Sequence, residues 1–182
     1  MKLIQEPMPG LKLIEPSVLK DERGYFFESY QRNKLLEIGI DTEFVQDNES
    51  YSLQNTLRGL HYQLPPNDQA KLVRVVKGEV LDVAVDIREH SPSYGQVYAV
   101  ILSAENKYQL FIPSGFAHGY RVTSEDAIFC YKTDSFYHKA SEGGIRYDDP
   151  ALNIDWKLDG LLPVISEKDL KLPNFGHHRI FI

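Results

Sequence analysis

A single cysteine, Cys130, stands among the 182 residues, so no internal disulfide can staple the fold. Such usage fits a reducing compartment and gives the expectation of a cytoplasmic protein. Nowhere does the chain run for about 18 uncharged apolar residues, which excludes a membrane-crossing helix. Its first residues carry Lys2, Glu6, Pro7 and Pro9 where a secretory leader needs an apolar block. Positive charge is also short. The 20 Lys and Arg against 26 Asp and Glu leave a net charge of −6, which argues against nucleic acid as a partner but allows a local basic site for a small anion. There is no Gly-rich dinucleotide or Walker loop, no cysteine pair for zinc and no Gly-x-Ser-x-Gly elbow. Repeats and Gly/Ser-rich or charge-block linkers are lacking too, so residues 1–182 read as one domain. With 42% hydrophobic and 25% charged residues, the chain has the composition of a folded globular protein rather than a disordered one.

What the chain does have is a succession of short alternating segments. From Glu79 to Ile87, Leu81, Val83, Val85 and Ile87 share one face while Asp82, Ala84 and Asp86 share the other, the period of two that marks a strand with one apolar face. The β-branched run Lys71–Val76 precedes it, and Lys77-Gly78 supplies a turn, so the two segments read as a hairpin. Further strands are expected at Leu11–Glu15, Tyr25–Tyr30, Phe44–Asn48, Leu57–Gln63, Val97–Leu102, Tyr108–Ile112, Gly119–Val122 and Ala127–Thr133. Turn residues fall between them, as at Asp21-Glu22-Arg23-Gly24, Pro65-Pro66-Asn67 and Pro113-Ser114-Gly115. Helical patterns are confined to Arg32–Ile38 and Ser166–Leu170. Many short strands at this spacing predict an all-β sandwich or barrel with short peripheral helices.

Two segments hold side chains suited to chemistry. In Arg58-Gly59-Leu60-His61-Tyr62-Gln63, His61 has an unperturbed pKa of about 6.5, which suits a general base. On this segment alone a structural histidine is the commoner reading. Strict alternation puts Arg58 on the face opposite His61, so both can serve one site only if Gly59 permits a bulge or bend. In Phe111-Ile112-Pro113-Ser114-Gly115-Phe116-Ala117-His118-Gly119, a strand ends at Pro113, turns at Gly115 and delivers His118.

Together the two segments resemble the pair of cupin motifs, which implies a double-stranded β-helix, or jelly-roll barrel. A metal-binding cupin places two histidines two residues apart in its first motif. Here the matching positions hold His61 and Gln63, and glutamine is a poor ligand for a first-row transition metal, so the expectation is a site without metal.

The resemblance narrows over longer blocks. Asp21 to Ser29, Phe44-Val45-Gln46-Asp47-Asn48, Leu57 to His61, Lys71-Leu72-Val73-Arg74, Gly78 to Arg88, Leu102 to Lys107, Pro113 to Gly119, Tyr131-Lys132 and Ile165-Ser166-Glu167-Lys168-Asp169 are similar, in order, to the dTDP-4-dehydrorhamnose 3,5-epimerase family. The resemblance implies a cofactor-independent epimerase that inverts C3 and C5 of dTDP-4-keto-6-deoxyglucose for dTDP-L-rhamnose synthesis. A relative inverting one centre alone and a non-catalytic sugar-nucleotide-binding cupin stay open beside it.

The same resemblance assigns residues. His61 matches the base, Asp169 its orienting carboxylate, Tyr131 the acid on the opposite face, and Lys71 a cation facing the C4 oxygen. Arg23, Glu28, Gln46, Asn48, Arg58, His118, Glu142 and Lys168 match positions that line the substrate site. Tyr137, with Phe136 beside it, matches an aromatic that stacks on the nucleotide. Arg23 and Glu28 lie on a strand that in the family crosses to a partner subunit, which implies a homodimer with strand exchange at the site. Several of these have plain alternatives: Ser166 to Asp169 reads equally as a helix cap, Tyr131 as a core tyrosine, and Lys71 as an exposed strand-end lysine. The Pro65-Pro66-Asn67-Asp68 loop and the tail from Leu172 onward depart from the family blocks. The tail is read as terminal packing.

Overall fold

The structure, a computed structural model, describes residues 1–181. Its strands are β1 (Lys2–Met8), β2 (Leu11–Glu15), β3 (Leu19–Asp21), β4 (Gly24–Phe26), β5 (Gln46–Leu53), β6 (Leu57–Gln63), β7 (Lys71–Lys77), β8 (Glu79–Asp86), β9 (Val97–Ser103), β10 (Gln109–Ile112), β11 (Phe116–Val122), β12 (Asp126–Thr133) and β13 (Glu142–Gly144). One short helix, α1 (Arg32–Glu37), follows β4, and 3-10 turns occupy Lys139–Ser141 and Asp169–Lys171. A six-stranded sheet runs β1-β2-β10-β7-β12-β5, a five-stranded sheet runs β13-β6-β11-β8-β9, and β3 pairs only with β4. The architecture is the expected all-β, cupin-like jelly roll.

Period-two alternation explains how the two large sheets close on each other. Val73 and Val75 of β7 with Ala127 and Phe129 of β12 point inward from one sheet. Val80 and Ala84 of β8 with Phe116, Tyr120 and Val122 of β11 point inward from the other, and all of these pack in one core. The five-stranded sheet is covered on its outer face as well. There Leu57, Leu60, Tyr62, Leu81, Val83, Val85 and Ile87 pack against Ile145, Leu152, Trp156 and, from the tail, Phe175 and Phe181. Outside the six-stranded sheet, Leu35 of α1 and Ile40 seat on Ile14, Leu72 and Phe111.

Three sequence expectations need correction. β7 and β8 are not a hairpin: β7 pairs with β10 and β12, while β8 pairs with β11 and β9. Gly78 does make the turn, with φ +74°, but the turn carries the chain from one sheet to the other. A turn residue fixes a reversal, not a partner. The Tyr25–Tyr30 strand shrinks to Gly24–Phe26, whose side chains are exposed for want of a sheet to cover them. Helix at Ser166–Leu170 shifts to the single 3-10 turn at Asp169–Lys171. Strands β1, β3 and β13 had no clear alternation to announce them.

Candidate active site

Between the two sheets lies a cleft of about 520 Å³, within the range of small-molecule sites. From the five-stranded sheet come Arg58 and His61 of β6 and His118 of β11; from the six-stranded sheet come Lys71 of β7 and Tyr131 of β12. Lys168 and Asp169, at the 3-10 turn, close one side. Lys71, Tyr131 and Phe129 share the inward parity of their strands, as Tyr131's partners Ala127 and Phe129 imply.

Arg58 and His61 reach the same face because β6 bulges between them. His118 stands opposite His61 and Tyr120 opposite Arg58, so three steps along β6 match two along β11. Gly59 sits in the bulge at φ +116°, a conformation that disfavours any side chain. A Cβ there would lie 2.5 Å from the Gly119 Cα, so the close approach of β6 to β11 requires glycine as well. The bend that the sequence demanded of Gly59 is thus the one observed.

His61 and Asp169 form a pair, with Nε2 at 2.7 Å from Oδ1. The Asp169 side chain is 5% exposed and that of His61 33%, so the carboxylate is sheltered while the ring faces the cleft. Burial raises the Asp169 carboxyl, but the His61 ring, the Gly59 amide and the Ser166 hydroxyl outweigh it and hold the group below the usual carboxylate range. The capping alternative holds too: the Asp169 amide donates to Ser166 Oγ at 3.1 Å. Backbone and side chain of one residue therefore do separate jobs. Nε2 is engaged by the carboxylate, so the neutral imidazole carries its proton there and leaves Nδ1 as the basic atom.

Across the cleft, burial raises the Tyr131 phenol above its usual range, Tyr120 adds to this, and Arg58 opposes it. The phenol therefore stays protonated at neutral pH. Burial pushes the Lys71 ammonium down to about 8, against the pull of Asp82. Asp82 was missed at the sequence level. It is fully buried on β8 and accepts from His118 Nε2 through both oxygens, at 3.1 and 3.0 Å. Burial lowers the His118 pKa and Asp82 opposes the shift. The available signal was parity: Asp82 shares a face with Ala84, and an acid inside a sandwich needs a partner.

A second group lies at the mouth. The Glu142 carboxylate takes Lys168 Nζ at 2.5 Å and the Tyr137 hydroxyl at 3.1 Å. Burial raises the Glu142 carboxyl but Lys168 outweighs it, and the group sits below the usual range. Tyr137 and Phe136 are exposed. Gln63, two residues after His61, is 4% exposed and brackets Tyr137. Its Nε2 donates to the carbonyls of Asn67 (2.5 Å) and Phe136 (3.2 Å), and its Oε1 accepts from the His138 amide at 2.6 Å. Its side chain is engaged by the backbone on either side of Tyr137, not turned to the cleft as a ligand. Among the described residues no group of three or more His, Cys, Asp and Glu side chains is arranged to hold a metal ion.

The remaining expected residues are not gathered here. Gln46 and Asn48 are joined to each other by a 2.8 Å bond on β5, the edge strand beside Tyr131. Arg23 pairs with Asp21 and is exposed on the β3–β4 hairpin, and Glu28 pairs with Lys34. Neither lines the cleft of its own chain.

A family model described as dTDP-4-dehydrorhamnose 3,5-epimerase matches residues 5–177. The chain is 50% identical to the dTDP-4-dehydrorhamnose 3,5-epimerase of Shigella flexneri, with 100% of each chain covered. It superposes on the crystal structure of the enzyme of that name from Elizabethkingia anophelis with a TM-score of 0.92 at 50% identity, covering 97% of each chain. The dTDP-6-deoxy-D-glucose-3,5-epimerase of Legionella pneumophila, solved in complex with dTDP-4-keto-L-rhamnose, also gives a TM-score of 0.92 at 50% identity, over 97% of this chain and 93% of that one.

Proposed function

The chain belongs to the dTDP-4-dehydrorhamnose 3,5-epimerase family, and from that premise we propose how its cleft carries out the family's reaction. It is an epimerase of the dTDP-L-rhamnose route, converting dTDP-4-keto-6-deoxy-D-glucose to dTDP-4-dehydro-β-L-rhamnose. Inverting a carbon next to a ketone takes a base on one face, an acid on the other and stabilisation for the enolate oxygen between. His61 takes the proton through Nδ1, and the electron pair of the C–H bond moves into the enolate, with negative charge on the C4 oxygen. Asp169 stabilises the imidazolium so formed. Lys71 meets the enolate oxygen, and Tyr131 donates its phenolic proton to the opposite face of the same carbon. His61 then gives its proton to solvent and the Tyr131 phenolate takes one from it, and with both groups restored the reaction is repeated at the second carbon.

The observation that carries this reading is the placement of His61 on one sheet, backed by Asp169 from the 3-10 turn, and of Tyr131 with Lys71 on the facing sheet, with the cleft between. Arg58 and Lys168 supply cations for the diphosphate, His118 lies at the sugar end, and Glu142 with Tyr137 forms the nucleotide end. Arg23, Glu28, Gln46 and Asn48 are read as completing a site shared between two copies. Two facts support a strand-exchanged homodimer: the β3–β4 hairpin leaves Leu19, Tyr25 and Phe26 exposed at 59% or more, and β5 is an unpaired sheet edge next to Tyr131. No described helix is long and apolar enough to cross a membrane. A cytoplasmic location, alongside the nucleotide-sugar substrate, is part of the proposal.

Proton NMR of dTDP-4-keto-6-deoxyglucose incubated with the protein in heavy water tests the reading. Deuterium entry at both C3 and C5 with formation of the rhamno product is expected. Exchange at one carbon alone would make the protein a single-centre epimerase, and no exchange would leave only a binding protein.

A further inference from the structure

The C-terminal tail, the part of the chain least like the family blocks, is firmly anchored beside the nucleotide end of the cleft. The Arg146 amide donates to the Pro173 carbonyl at 2.9 Å, and the Phe175 amide donates to Asp149 Oδ2 at 2.8 Å. His178 stacks on Phe175 with ring centroids 5.1 Å apart and meets Tyr62 edge-on at 6.1 Å. The buried Tyr62, next to His61 in β6, donates its hydroxyl to the Arg179 carbonyl at 2.7 Å. These contacts fix the backbone at Arg179 before its side chain does anything.

That side chain reaches back to the segment carrying Glu142. Arg179 Nη1 donates to the carbonyls of Ala140 and Glu142, each at 2.8 Å. The two carbonyls flank the junction between the 3-10 turn Lys139–Ser141 and β13. A cleft of about 230 Å³, lined by Arg179, Leu172, Pro173 and Gly144, lies where the tail meets β13 and reaches His61 and Lys168. Leu172 seats against Gly144, and β13 pairs with β6 with Glu142 opposite Gln63; to these the guanidinium adds a tie from the tail to the two carbonyls that lead into the strand. Glu142 in turn holds Lys168 and Tyr137, so its backbone sets where a cation and an aromatic ring stand.

We propose that Arg179 is a positioning residue for nucleotide binding, acting by fixing the Glu142 backbone so that Lys168 and Tyr137 are held ready for the diphosphate and base. The inference rests on the epimerase reading of the site. It assigns Arg179 to affinity and leaves the chemistry to His61 and Tyr131. A guanidinium is suited to the task because its planar donors keep a fixed direction, whereas an ammonium supplies the charge with less orientation.

The test uses the full chain, with dTDP as the binding probe and dTDP-4-keto-6-deoxyglucose as substrate. Arg179→Met keeps most of the aliphatic stem and removes the donors. The Kd for dTDP and the KM should both rise about five- to thirtyfold, the equivalent of one to two net hydrogen bonds. The kcat should stay within about twofold, since the reacting groups are untouched. Arg179→Lys should recover most of the affinity. In a Glu142→Gln background, Arg179→Met should add little, because residues acting through one another are not additive. Unchanged dTDP affinity in Arg179→Met overturns the inference. So does a full additional loss in the Glu142→Gln background, and so does a lowered thermal midpoint with kcat and KM both impaired and no recovery by lysine. If the unaltered protein fails to bind dTDP, the epimerase reading falls and the inference with it. If it binds dTDP and Arg179→Met binds equally well, only the inference falls.

Discussion

Replacing Asp169 by asparagine separates the two jobs of this residue. The backbone amide keeps its bond to Ser166 Oγ at 3.1 Å, so the cap survives, while the carboxylate that sits 2.7 Å from His61 Nε2 becomes a neutral amide. The attraction between Asp169 and His61 is largest when the ring is an imidazolium, the state created by proton removal. A hydrogen bond to a charged partner contributes a net of about 1.5–3 kcal/mol. If that difference is confined to the transition state and the intermediate, kcat falls by about tenfold to 150-fold at ~1.36 kcal/mol per decade. A second effect deepens the loss. Should the asparagine turn its amide nitrogen toward Nε2, the ring must place its own proton on Nδ1, and the basic lone pair is gone. The drop then approaches ~10⁴, the upper end of a general-base contribution. The assay is turnover of the keto sugar together with deuterium wash-in at C3 and C5, alongside a thermal melt. Turnover within about threefold of the unaltered protein would refute the orienting role and leave Asp169 as a cap.

Tyr131→Phe should keep the fold and the wash-in of solvent deuterium into recovered substrate, since His61 still forms the enolate and can return a proton on the original face. Rhamno product should fall by about 10²–10⁴, and unaltered product formation would leave Tyr131 as a core tyrosine. The pH profile of kcat/KM should show an alkaline limb near 8, where Lys71 loses its proton; Lys71→Met should be slower throughout and lack the limb, and a limb that persists would assign it elsewhere. Unfolding must not be the cause of that limb. Between about 8 and 10.5 the unfolded chain binds the Lys71 proton that the folded chain has released, so this group's contribution to stability rises with pH while activity falls. Chelator treatment should leave turnover unchanged, because Gln63 is committed to the loop around Tyr137; loss of activity restored by a divalent metal would overturn this.

Local rules carried the fold a long way and then stopped at partnership. The alternation of Glu79 to Ile87 is visible as letters, and β8 occupies Glu79–Asp86. The same letters cannot say that its polar parity, Asp82 and Asp86, faces inward, because covering the outer face falls to residues such as Ile145 and Trp156 far along the chain. Lys77-Gly78 announced a reversal without saying that it crosses between sheets. In the site, the problem posed by Arg58 and His61 on opposite parities was legible, and so was its answer in Gly59. The Asp82–His118 pair was not, for want of any local sequence signal linking β8 to β11. The mismatch of Gln63 with a metal-binding motif is legible in the letters; its role as a bracket depends on Phe136 and His138, which only the folded chain brings near. Arg23 and Glu28 mark the opposite limit, since the blocks that resemble the family name them while a single folded chain leaves them outside the cleft.

The placement of acid and base on different sheets has a further consequence for the proposed mechanism. In a sandwich, side chains from facing inner surfaces meet a ligand from opposite sides, so an opposite-face acid and base come from strand parity rather than from mobile loops. In that mechanism each inversion leaves His61 protonated and Tyr131 as a phenolate, a state burial disfavours. Arg58 is the charge that opposes this penalty, and it stands on the sheet of His61, brought to the cleft by the same bulge at Gly59. The bulge therefore does more than turn one arginine toward a diphosphate. It sets a positive charge where the spent acid needs it, on the strand that carries the base, and so couples the two halves of the proton transfer through a single glycine.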